Sequence, residues 1–221
     1  MHEVAIRPEI IERVLARRGR LHLFERLEPK RTALLVIDMQ NAFVAPGAPI
    51  EVPGARDIVP VINRLARELR QRNVPVIWVL HQNAGHWSGF FDVFVKPEDR
   101  SRAAQALSAG HELQQPWHEL DIAPQDLRVT KNRYSALIAG ASDLGTLLRQ
   151  RGIDTLLIAG TKTNVCCECT ARDAMMLDYK VVMLSDCTAA LSEEEHRATL
   201  ENMIQQFGDV LTADEALRLF V

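Results

Sequence analysis

The chain has 221 residues, 47% hydrophobic and 25% charged, and its Lys+Arg 26 against Asp+Glu 29 give a formal net charge of -3. That composition suits an α/β domain with a sizeable core and offers no bulk positive field for nucleic acid or anionic lipid. Glu3, Glu9, Glu12 and several Arg interrupt the opening residues, so neither a signal-peptide core nor a membrane span is expected there. Cys166, Cys167, Cys169 and Cys187 crowd into one part of the chain, which does not suit a disulfide frame for a domain of this size. Reduced thiols in a cytoplasmic protein with a small-molecule partner are the expectation.

In chain order, residues 6–28 place Ile10, Ile11, Val14, Leu15 and Leu21 at roughly helical spacing among charges. This predicts a helical extension over residues 1–29, serving packing or subunit contact, ahead of a main domain at 30–221. The run Ala33-Leu34-Leu35-Val36-Ile37 is continuously apolar, as a strand buried on both faces requires, and Asp38 closes it. Ile58, Val61, Ile62, Leu65 and Leu69 share one helical face, and Val76-Ile77-Trp78-Val79-Leu80 reads as the next strand. Residues 81–123 break the alternation with scattered Gly85, Gly89, Pro97, Gly110 and Pro116. An irregular segment with short helices covering an active site is predicted there. The alternation resumes with strand Leu127-Arg128-Val129-Thr130, a helix over 142–151 and strand Thr155-Leu156-Leu157-Ile158-Ala159. A helix over 165–179, strand Val181-Val182-Met183-Leu184, a helix over 192–207 and a last strand near Val210 complete it.

Strands alternating with helices predict an α/β fold: a three-layer αβα sandwich around a mostly parallel six-stranded sheet of Rossmann-like topology. Ligands in such sheets bind beyond the carboxyl ends of the strands. Asp38, Lys131 and Cys166 each fall just after a strand, so their side chains can meet at that edge. A cysteine attacks a carbonyl as thiolate, and the positive end of the helix that begins near Cys166 would favour that form. Asp38 could take the thiol proton and return it to a leaving group, while Lys131 stabilises negative charge. Taken singly, each has a plainer role: a small buried thiol, a helix N-cap and a surface charge.

The segments Leu34-Leu35-Val36-Ile37-Asp38-Met39-Gln40-Asn41-Ala42-Phe43, Thr130-Lys131-Asn132-Arg133-Tyr134-Ser135-Ala136 and Gly160-Thr161-Lys162-Thr163-Asn164-Val165-Cys166-Cys167 resemble the three signature blocks of the isochorismatase-like cysteine hydrolases. Their order and separations match too, over the chain from about Lys30 onward. The resemblance implies a triad on Asp38, Lys131 and Cys166 that works through a covalent thioester on amides, ureides and carbamoyl compounds, with no cofactor. It also implies a cis peptide at Thr161–Lys162 and an oxyanion hole formed by the amides of Lys162 and Cys166. The third block is most similar to that of ureidoacrylate and N-carbamoyl amidohydrolases.

Tyr134 matches a substrate-facing aromatic in relatives that act on ureido compounds. Phe43, Trp87 and Gln40 join it as candidate substrate-binding residues, with Trp78 a further aromatic in reach and Arg133 a candidate grip on a substrate carboxylate. Metal-binding relatives of nicotinamidase type carry an Asp-x-His pair where this chain has His81-Gln82-Asn83, with His86 beyond, so no metal is expected. Relatives commonly form oligomers, and a homodimer or homotetramer is expected.

Other readings compete. Cys166 favours amide chemistry over the vinyl ether hydrolysis of isochorismate, which needs no thiol. The C-x-x-C within Cys166-Cys167-Glu168-Cys169 would suit a dithiol redox protein, but that reading leaves Asp38 and Lys131 without a role. A non-catalytic ligand-binding member of the fold would have no need of the three together. The first strand runs into Met39-Gln40-Asn41-Ala42-Phe43 rather than a glycine-rich turn, which argues against a dinucleotide cofactor.

Overall fold

Apolar runs and amphipathic helices alternate along the chain and fold into three layers in a computed structural model that describes residues 5–84 and 87–220. The elements begin with α1 (Pro8–Arg18), β1 (Thr32–Ile37), α2 (Asn41–Val44), α3 (Ala55–Gln71) and β2 (Val76–His81). Next come α4 (Ser88–Phe91), α5 (Arg100–Ala106), β3 (Leu127–Lys131), α6 (Leu144–Gln150) and β4 (Thr155–Thr161). The chain ends with α7 (Glu168–Met176), β5 (Lys180–Ala189), α8 (Glu193–Asn202), β6 (Asp209–Leu211) and α9 (Ala213–Arg218). The described residues form a six-stranded sheet in the order β3-β2-β1-β4-β5-β6, and every pairing is parallel. The sequence predicts a mostly parallel sheet; the sheet is wholly parallel.

Both faces of the central strands are buried, which is why their sequences lack polar alternation. Leu34 and Val36 of β1, Val76 and Trp78 of β2, and Leu157 and Ala159 of β4 pack with α3 and α9. The intervening Leu35, Ile37, Ile77, Val79, Leu156 and Ile158 pack on the opposite face with α1, α6, α7 and α8. Each fully buried Leu or Ile contributes about 1.5–3 kcal/mol of apolar transfer, so β1, buried along its whole length, anchors the sheet.

One detail departs from the expected elements, while the short helices expected within residues 81–123 are present. The N-terminal helix stops at Arg18 because Gly19, at φ 74, closes it with its amide bonded to the Leu15 carbonyl. The chain then returns to the C-terminus, where the Leu27 amide donates to the Leu219 carbonyl at 2.9 Å. Within residues 81–123 lie α4, α5 and two short 3-10 turns, Pro97–Asp99 and Glu112–Gln114. Among the described residues no helix is long and apolar enough to cross a membrane.

At the carboxyl edge the backbone itself is shaped for the site. Asp38 sits at φ 53, a left-handed conformation that Asp tolerates better than most residues, and it turns the chain sharply out of β1. Ile37 pairs with Gly160 of β4. Gly160 has φ 110, and a Cβ there would lie 2.0 Å from the Ile37 carbonyl oxygen. Only glycine permits this close approach. Gly160→Ala is expected to destabilise the fold by about 3 kcal/mol or more, since it meets both a forbidden φ and immovable backbone. Urea denaturation measures this, and a loss under about 1 kcal/mol would show that β4 can back away from β1.

Candidate active site

Three neighbouring strand ends deliver three polar side chains to one point. Lys131, the last residue of β3, donates from Nζ to Asp38 Oδ2 at 2.8 Å, and neither side chain is exposed. The same ammonium donates to the Arg133 carbonyl at 3.1 Å and approaches His81 Nδ1 at 3.4 Å. Its three N–H groups thus have three acceptors. Cys166 interacts with both Asp38 and Lys131. Asp38 Oδ1 is buried without a hydrogen-bond partner of ordinary geometry among the described residues, and the Asp38 carboxylate acts on the Cys166 thiol.

Charge and burial compete here. Burial would lower the Lys131 pKa, but Asp38 and Cys166 hold it above its ordinary value, so the side chain stays an ammonium. The sequence suggests that a helix end favours a Cys166 thiolate; the structure reverses this. Burial first, then the Asp38 charge, push the Cys166 thiol well up against the opposing pull of Lys131. A wide helical turn, Thr163–Cys167, explains the difference: its closing bond runs from the Cys167 amide to the Lys162 carbonyl at 3.2 Å. Cys166 therefore lies inside the turn, buried, rather than at an open helix start. Turns of this kind are frequent at functional sites.

His81, the last residue of β2, is a participant that the sequence reading treats only as a possible metal ligand. Burial and the neighbouring Lys131 lower its pKa to about 4, so the ring is neutral near pH 7. A neutral ring accepts from Lys131 at Nδ1 and donates from Nε2 to Asn83 Oδ1 at 3.2 Å. Asn83 in turn donates to the Ala104 carbonyl at 2.9 Å, which fastens α5 over the site. His86 lies outside the described residues. Among the described residues no group of three or more His, Cys, Asp and Glu is disposed to hold a metal ion.

A second set of contacts fixes the nucleophile turn. Thr163 Oγ1 meets His196 Nδ1 at 2.9 Å, and His196 Nε2 reaches the Ser185 carbonyl at 3.1 Å. His196, on α8, carries no sequence mark that ties it to this turn. The peptide Thr161–Lys162 is cis, where the family resemblance places it.

A cavity of about 200 Å³ opens onto Cys166 and is lined by Lys162, Val165, Tyr134, Phe43 and Trp87, together with residues of α4 and α5. A wider groove at the opposite end of the strands, between Lys30, Arg70 and Arg151, holds no nucleophile. Tyr134, Phe43 and Trp87 thus line this cavity. Gln40 does not. It is fully buried, its Nε2 donating to the carbonyls of His81 at 2.9 Å and Gln114 at 2.7 Å while its Oε1 accepts from the His81 amide at 2.7 Å. It clamps the end of β2 instead of meeting a ligand. Trp78 faces α3 and donates to Asp126 Oδ2 at 2.8 Å, away from the cavity. The Arg133 guanidinium lies over the Trp87 ring, 4.9 Å from its centroid, and donates to the Asn132 carbonyl at 2.7 Å.

A parallel sheet with a thiol, a carboxylate and an ammonium converging at its carboxyl edge, open to a small cavity, defines a class of small-molecule hydrolase folds. Residues 32–215 match the family model of the isochorismatase domain, and the chain belongs to the isochorismatase family of hydrolases. The ureidoacrylate amidohydrolase RutB of Caulobacter vibrioides is 35% identical over 210 residues, covering 84% of this chain and 89% of that protein. A protein of Arabidopsis thaliana described as a "probable inactive nicotinamidase" is 35% identical over 177 residues, 79% of this chain and 88% of its own. Among solved structures, a cysteine hydrolase from Pseudomonas syringae pv. phaseolicola superposes with a TM-score of 0.77 at 31% identity, covering 90% of this chain and 96% of that one.

The depressed His81 pKa has a stability consequence of fixed sign. The unfolded chain takes up this proton below about pH 6.5, the folded protein only near pH 4, so stability falls as pH drops through that window. The loss amounts to at most about 3 kcal/mol. His81→Gln should flatten this part of the curve. Unfolding free energies measured across the window test it, and an unchanged slope would show that His81 titrates alike in both states.

Proposed function

We propose that the protein is a cysteine-dependent amidohydrolase that cleaves a C–N bond of a small amide, ureide or carbamoyl compound through a thioester on Cys166. The observation that carries this reading is the Cys166 thiol lining the cavity and interacting with the buried Asp38 carboxylate, with Lys131 fixed on Asp38 Oδ2. The relationship to ureidoacrylate amidohydrolases supports the choice of C–N over C–O chemistry.

In this mechanism Asp38 accepts the thiol proton as sulfur adds to the substrate carbonyl. The amides of Lys162 and Cys166 receive the developing oxyanion. The tetrahedral adduct then collapses, the C–N bond breaks, and Asp38 returns its proton to the departing nitrogen. Water enters, gives a proton to Asp38 and adds to the thioester. The acid leaves, and Cys166 regains its proton. The high thiol pKa fits a nucleophile formed during attack rather than a resting thiolate.

Cys166→Ala and Asp38→Asn should each lower kcat by at least about a thousandfold, with little change in the thermal midpoint for Cys166→Ala. Steady-state kinetics on a panel of ureides and primary amides, joined to intact-mass detection of an acyl adduct on wild type, provides the check. Near wild-type turnover by Cys166→Ala on a cleaved amide would rule out the covalent route.

A further inference from the structure

The walls of the cavity constrain what the substrate carries beyond its reacting carbonyl. Around the space next to Cys166 stand Phe43, Ile50, Trp87, Phe90, Phe91 and Leu107. The rings form a continuous surface: Trp87 meets Tyr134 edge-on at 4.9 Å between centroids and Phe90 at 5.5 Å, and Phe90 meets Phe91 at 5.2 Å. At about 200 Å³ the space falls below the ~300–1,000 Å³ of sites for drug-sized ligands.

Several of the polar groups nearby are engaged with the protein. Lys131 has an acceptor for each N–H. Arg133 lies on Trp87 and is bonded to Asn132, and Asn83 is bonded to α5. The His81 ring is neutral near pH 7 and is held between Lys131 and Asn83. Among the described lining residues Lys162 alone carries a formal positive charge, and it belongs to the turn at the reacting end, just before the nucleophile. A carboxylate pressed against the aromatic wall would lose its hydration and find only Lys162 and the Arg133 guanidinium as nearby cations, whereas an apolar group gains directly from the same burial.

We infer that the acyl part of the substrate is compact and uncharged, a branched aliphatic or single-ring group, in contrast to the carboxylate-bearing substrate named for the RutB relatives. This rests on the amidohydrolase reading of the same site. Two amides of equal shape isolate the point: 3-methylbutanamide, which ends in an isopropyl group, and malonamate, which ends in a carboxylate.

Wild-type kcat/KM should favour 3-methylbutanamide at least 100-fold, and calorimetric binding to Cys166→Ala should follow the same order. Equal or better turnover or binding of malonamate overturns the inference. Loss of a malonamate preference in Lys162→Met would then identify Lys162 as an anion anchor. Binding of 3-methylbutanamide to Cys166→Ala without ammonia release by wild type would sustain the pocket assignment and defeat the amidohydrolase reading. Failure of both amides to bind Cys166→Ala would defeat the pocket assignment itself.

Discussion

Asp38 and Lys131 meet at 2.8 Å with neither side chain exposed to solvent. Removing two such ions from water costs several kcal/mol each, and their mutual attraction offsets this only when the remaining donors and acceptors are satisfied. Lys131 meets the condition: Asp38 Oδ2, the Arg133 carbonyl and His81 Nδ1 take its three N–H groups. Asp38 meets it only in part, since Oδ1 has no partner among the described residues. An incompletely satisfied buried carboxylate is destabilising, and the Cys166 thiol is the neighbour that interacts with it besides Lys131.

That cluster depends on the sheet. Three adjacent parallel strands, β3, β2 and β1, end in Lys131, His81 and the turn at Asp38, and His81 pairs in register with Lys131. A shift of one residue in any strand would send its terminal side chain to the other face. Register is held by burial on both faces and, at the edge itself, by two backbone features: the left-handed Asp38 and the Cβ-free Gly160 pressed against Ile37. Gln40 adds a clamp, tying the end of β2 to the loop after α5 through Gln114. The ion pair is therefore as precise as the strand ends that carry it.

The strands were legible because a buried parallel strand is a short unbroken apolar run, and β1, β2 and β4 each read that way. Leu21 continues the helical periodicity past Gly19, so the pattern predicts a longer N-terminal helix than the one Gly19 stops. Asp38, Lys131 and Cys166 were visible as polar residues after strands. His81 satisfies the same rule as the last residue of β2, but comparison with an Asp-x-His metal motif obscures it. Gln40 was misjudged for a different reason: closeness to Asp38 in sequence does not fix direction, and the left-handed turn at Asp38 sends Gln40 toward β2. Period-two alternation does assign Trp78 to the α3 face with Val76. The aromatic wall was the least legible part, since Phe90, Phe91 and Leu107 come from short helices whose arrangement depends on distant contacts such as Asn83 to α5.

The raised thiol pKa and a nucleophilic role for Cys166 are compatible once charge is followed through the proposed step. In the resting site Lys131 and Asp38 form a neutral pair, and an added thiolate would be a second anion facing one ammonium. Burial and the Asp38 charge are the leading causes of the upward shift, as such crowding requires. When the proton moves from Cys166 to Asp38, the carboxylate loses its charge and the thiolate replaces it as the counter-ion of Lys131. Net charge in the buried cluster is unchanged, so the desolvation penalty against a free thiolate is not incurred in full. The same low-dielectric setting that suppresses the resting thiolate then strengthens its attraction to Lys131. On the proposed mechanism, transfer to Asp38 and attack on a carbonyl are coupled, so the thiol would be activated only where a substrate can accept the electron pair.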